Sequence, residues 1–158
     1  EQILNKSKEH QILVFSQFVE MLDLIRAELG KRNISFEYLT GQSKERGKKV
    51  HNFQNNEEVR IFLISLKAGG VGLNLTEADY VYLVDPWWNP AAENQAIDRS
   101  YRIGQTKNVV AVRLICSNTI EEKILKLQKR KSKLAQDLIQ TENAFFNTLS
   151  KADILDML

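Results

Sequence analysis

The stretch "VRIFLIS" at 59–65 is apolar almost throughout, and that constrains the fold more than any other feature of the chain. A strand of that composition has to be covered on both faces, which is the situation of a central strand in a parallel sheet. Four further short runs resemble it: "ILVFS" (12–16), "ISFEYL" (34–39), "YVYLVD" (80–85) and "VVAVRLIC" (109–116). Amphipathic segments lie between them. Phe18, Leu22, Ile25 and Leu29 share one helical face, with Gly30 placed to end that helix. A second helix is predicted from about Ser43 as N-cap, with Val50 and Phe53 turned inward. Asn89 and Pro90 suit the cap and first position of a third, and Thr119 with Glu122 has capping-box spacing at the start of a fourth. Five strands alternating with helices predict an α/β domain with a parallel sheet.

The length of 158 residues fits one domain, and 43% hydrophobic with 27% charged residues is ordinary globular composition. One cysteine, Cys116, excludes a disulfide framework or a zinc site, and its apolar neighbours predict a buried thiol in a reducing compartment. No stretch approaches the roughly 18 uninterrupted apolar residues of a membrane span, so the expectation is a soluble, intracellular protein without a membrane partner. The chain does not begin with Met, which predicts a fragment of something longer. A net charge of +2 says little about partners, because 22 basic residues nearly balance 20 acidic ones. Beyond 118 the character changes. Ile120, Ile124, Leu127, Leu134 and Leu138 recur at helical spacing beside a crowded basic side, and Ser150 with Asp153 has the spacing to cap a final short helix. The division expected is a lobe over 1–118 and a helical extension over 119–158 that packs on it.

Against that modest charge, "ENQAIDRSYRIGQ" (93–105) sets Gln95, Arg99 and Arg102 at i, i+4 and i+7 on one helical face, close to Gly104. Two guanidiniums one turn apart can hold a terminal phosphate during its transfer. Spacing alone favours the plainer reading of solvated or salt-bridged arginines, with Glu93 and Asp98 as partners. The loop "SLKAGGVGLNLTEAD" (65–79) follows the strand predicted to be central. Its glycines permit close approach of a ligand, Ser65 and Lys67 at its mouth can donate to phosphates, and a tight turn is the alternative. "GQSKERGK" (41–48) imitates a phosphate-binding P-loop but has one residue too many between its glycines, and Lys49 stands where Ser or Thr would hold Mg²⁺. Fingers without a cradle put the cradle on another polypeptide or another domain.

"ILVFSQF", "SLKAGGVGLNLTEADYVYLVDPWWNP" and "QAIDRSYRIGQ", in this order, resemble the motifs of the second RecA-like lobe of Swi/Snf-type DNA-dependent ATPases of helicase superfamily two, over about residues 12–125. The resemblance implies a RecA-like parallel sheet with helices on both faces and a C-terminal helical extension. It implies that Arg99 and Arg102 reach ATP held with Mg²⁺ mainly by a first lobe outside this chain, and that Gln95, Gly70, Gly72 and Asn74 belong to the cleft between lobes. Ser16, Gln17, Ser65 and Lys67 are implied at the DNA backbone and Trp88 near the groove, with packing an equal alternative for Trp88. Trp87 has no secure counterpart, and the stretch from Lys44 to Phe53 matches only in general shape.

The activity implied is ATP-driven translocation along double-stranded DNA, with DNA-bound proteins remodelled or displaced and the isolated lobe inactive. The alternatives are an RNA-directed helicase lobe and a non-catalytic adaptor that docks through the basic helix at 119–140. A compact lobe without a large insertion predicts a bacterial, cytoplasmic, DNA-associated protein, or a nuclear one if the source is eukaryotic.

Overall fold

The computed structural model describes residues 1–69, 73–85, 94, 97, 98 and 107–130. Each of the five apolar runs yields a strand, shortened at its ends in all but the first: β1 (Ile12–Ser16), β2 (Phe36–Leu39), β3 (Ile61–Ser65), β4 (Tyr80–Leu83) and β5 (Val110–Arg113). The sheet is parallel throughout, in the order β2-β3-β1-β4-β5. Every residue of β1 and of β3 is buried. The run predicted to be central is therefore interior, although the middle place belongs to β1, which has two strands on either side.

Alternation along the strands divides the interior in two. Leu13, Phe15, Phe62, Ile64, Val81 and Leu83 point to one side, where α3 (Arg46–Asn55) supplies Phe53. The Phe53 and Phe62 rings lie 5.2 Å apart, tilted by 47°, and full burial of each contributes about 1.5–3 kcal/mol. Ile12, Val14, Ile61, Leu63 and Tyr82 point to the other side, covered by Leu22 and Leu29 of α2 (Val19–Lys31) and by Ile3 and Leu4 of α1 (Gln2–Lys6). Helices thus cover both faces, which is the RecA-like arrangement.

Helix ends depart from the sequence expectations for local reasons. Phe18 is the extended N-cap residue of α2, off the helical face, and 54% exposed. That helix runs past Gly30 to Lys31, and the left-handed residue beyond it is Asn33 (φ 53°). Ser43 does not cap α3: its hydroxyl accepts the Thr40 N–H at 2.8 Å, and Glu45 precedes the helix in a left-handed conformation.

Cys116 is exposed, contrary to the buried thiol expected, because β5 stops at Arg113 and the rest of its run leaves the sheet. Residues 120–130 are helical. Thr119 Oγ1 accepts the Glu121 N–H at 3.3 Å as a cap should. The returning carboxylate is displaced by one residue, since Glu122 takes the N–H of Asn118 rather than of Thr119, and Glu121 takes that of Cys116. The Lys126 ammonium first, then the Asn118 N–H, hold the Glu122 carboxyl below its ordinary value. The readings made at Asn89, Pro90 and 131–158 lie outside the described residues.

Candidate functional site

All carboxyl ends of a parallel sheet lie along one edge, so the residues that follow β1, β2 and β3 meet there. Residues 17–20 after β1, 40–42 after β2, and Ser65 with Lys67 at the end of β3 line one open hollow of about 410 Å³. Three of the residues assigned to the DNA backbone from the sequence, Gln17, Ser65 and Lys67, come together in it. Lys67 belongs to the short α4 (Leu66–Gly69), is exposed, and makes no ion pair among the described residues. Glu20 is the one other charged side chain among the lining residues, and the Arg46 guanidinium stands beside them, donating to the Gly41 carbonyl at 3.3 Å.

The two serines are support rather than surface. Ser16 is fully buried, and its hydroxyl accepts the Phe18 N–H and donates to the Phe18 carbonyl, both at 3.0 Å. Ser65 is 4% exposed, and its Oγ accepts the Ala68 N–H at 3.3 Å, which starts the turn that carries Lys67.

Asn74 is exposed and stands apart from the hollow. Its carbonyl accepts from Gln54 of α3 at 3.0 Å, between Leu73 and Leu75, which enter the core on that helix's side. Asn94 and Ile97 are helical, the Asp98 N–H donates to the Asn94 carbonyl at 2.8 Å, and Ile97 packs on the same core. Arg99, Arg102, Gln95, Gly70, Gly72 and Trp88 lie outside the described residues.

One residue given no role from the sequence supports the hollow from below. Asp85, 5% exposed, follows β4, and its Oδ2 accepts the Gln17 N–H at 2.9 Å. Its Oδ1 is buried without a hydrogen-bond partner among the described residues, a cost of about 1–3 kcal/mol for a polar group. Asp79, ahead of β4, does the equivalent work at the other end of β1: Oδ1 accepts the Gln11 N–H at 3.1 Å and Oδ2 meets His10 Nδ1 at 2.5 Å. The register Ile12↔Tyr80 brings each carboxylate opposite the matching N–H. Two aspartates bracketing "YVYLV" are the only sequence signal for this, and it becomes readable once β1 and β4 are known to be neighbours.

Residues 1–104 match the family described as helicase conserved C-terminal domain. The human protein chromatin-remodeling ATPase INO80 is 42% identical over 155 residues, which cover 97% of this chain and 10% of that protein. DNA repair protein RAD5 of Cryptococcus neoformans is 47% identical over 137 residues, 85% of this chain and 11% of that protein. A crystal structure of the C-terminal part of the Fun30 ATPase domain shares the fold with a TM-score of 0.76 at 36% identity, covering 80% of this chain and 42% of the other. The chain spans about a tenth of the length of these curated relatives.

Proposed function

The chain belongs to the helicase conserved C-terminal domain family, on its Swi/Snf-type branch, and from that premise we propose that it is the second lobe of an ATP-driven motor that grips and tracks double-stranded DNA. The observation that carries the DNA part is the hollow, where Gln17, Ser65 and Lys67 converge from separate strands at one edge of a rigid sheet. Gln17 and Lys67 meet phosphate oxygens, Ser16 and Ser65 hold the loops that present them, and Trp88 lies by the groove. Contacts to phosphates carry no sequence information, which suits movement along any duplex.

ATP is the substrate, bound with Mg²⁺ on the first lobe. Arg99 and Arg102, one turn apart behind Gln95, reach the γ-phosphate when the lobes close, with Gly70, Gly72 and Asn74 along the cleft. Asn74 beside α3, away from the hollow, fits a nucleotide face separate from the DNA face. Closure is favoured while the γ-phosphate meets the guanidiniums and relaxes once phosphate leaves, which shifts one lobe's grip relative to the other's. The lobe over 1–118 has no P-loop and hydrolyses nothing alone, and the extension over 119–158 packs on it.

Relatives named for chromatin remodelling and DNA repair favour duplex DNA over RNA and a motor over an adaptor. They also favour DNA-bound proteins as what is displaced, and a nuclear site if the source is eukaryotic. ATPase assays of the complete two-lobed protein test the reading: duplex DNA is expected to stimulate turnover and RNA not. Equal or greater stimulation by RNA would overturn it.

A further inference from the structure

Where β1 ends, two consecutive N–H groups lose their strand partners and are taken instead by buried side-chain oxygens. Phe18 N–H goes to Ser16 Oγ and Gln17 N–H goes to Asp85 Oδ2. Both acceptors belong to the interior: Ser16 is fully buried and Asp85 is 5% exposed. Pinning both N–H groups fixes the peptide planes on either side of the Gln17 Cα, and with them the direction in which the Gln17 side chain leaves for the hollow it lines.

Asp85 is poorly suited to be a simple staple. The Val84 N–H already donates to the Phe15 carbonyl at 2.9 Å, so the pairing of β1 with β4 is made without it. Asp79, at the opposite end, has a partner for both oxygens, whereas Asp85 has one, among the described residues, for Oδ2 alone. An apolar residue would fill the same space without a stranded acceptor. What Asp85 supplies, and such a residue would not, is an acceptor for the Gln17 N–H.

We propose that Asp85 is a positioning residue for the duplex grip, acting through the Gln17 N–H to aim the Gln17 side chain into the hollow. The proposal rests on the reading of that hollow as the DNA-gripping surface. In the complete protein, Asp85→Ala and the bulkier Asp85→Leu should raise the duplex concentration for half-maximal ATPase about tenfold, as lost positioning does. Turnover at saturating duplex should stay within about twofold of the parent. Asp85→Asn keeps an oxygen for the same N–H and should stay within about twofold on both counts. Lys67→Ala reports on the grip itself. If Lys67→Ala weakens duplex binding while Asp85→Ala and Asp85→Leu do not, the positioning role is overturned and the grip stands. If none of the three moves the half-saturation point, the grip reading fails and the proposal with it. Asp85→Asn as impaired as Asp85→Ala, or loss of folding in both Asp85→Ala and Asp85→Leu, would also overturn it, because the Gln17 bond would not then be what matters.

Discussion

Replacing Lys67 by Ala removes one positive charge from the hollow and very little from the fold. The side chain is exposed and has no ion pair among the described residues, and α4 starts from the Ser65 Oγ bond to the Ala68 N–H, which the substitution leaves alone. Ala is at least as good a helix former, so the melting of the lobe should shift by less than about 0.5 kcal/mol. Binding is a different matter. A lysine that neutralises one phosphate contributes about 0.9 to the slope of log affinity against log salt concentration. Raising salt fourfold, from about 50 to about 200 mM, should therefore cost the parent about 3.5 times more affinity than the variant. Titrating the complete protein into fluorescent duplexes of unrelated sequence, across a salt series, measures this directly. The loss should be the same for every sequence, since a phosphate contact reads none. Parallel salt slopes for parent and variant, or a changed order of preference among the duplexes, would refute the assignment.

Arg99→Ala or Arg102→Ala should lower ATP turnover of the complete protein by about 10³-fold with much smaller changes in ATP binding, while the lobe alone melts as before and shows no turnover; a destabilised lobe with retained turnover would instead mark the arginines as structural. Tyr38 is pushed up to about 12, by burial first and then by its hydrogen bond to Asp23 at 2.8 Å. Its raised value favours the neutral phenol in the folded state, so this stabilisation is complete below the ordinary value near 10 and is lost as pH climbs from there through about 12. Tyr38→Phe should flatten that alkaline decline in a series of thermal melts, and an identical decline in parent and variant would count against the shift.

Where strands run, the sequence is plain to read, because "ILVFS" and "VRIFLIS" have no polar face to offer water and occupy interior places in the sheet. Their order across the sheet is less legible: two runs equally apolar give no ranking, and β1 rather than β3 took the middle. Helix ends were misjudged where one side chain had a competing partner. Ser43 has cap chemistry but is taken by the Thr40 N–H, and Gly30 can end a helix that instead continues to Lys31. Cys116 lies in an apolar run, yet edge strand β5 is short and alternates poorly, so the run's tail is carried out to solvent. At the candidate site, Gln17, Ser65 and Lys67 could be grouped from motifs, whereas Asp85 could not. Its role depends on a contact 68 residues away across two neighbouring strands.

The exposed thiol offers a way to test the proposed closure of the lobes. Cys116 is the chain's single cysteine, and it stands where β5 gives way to the helix at 120–130, with its N–H anchored to Glu121 Oε2 at 2.8 Å. A dye attached there has one address on this chain and a base tied to the first turn of that helix. Paired with a second dye on the first lobe, it would turn the proposed lobe closure into a distance trace from single molecules.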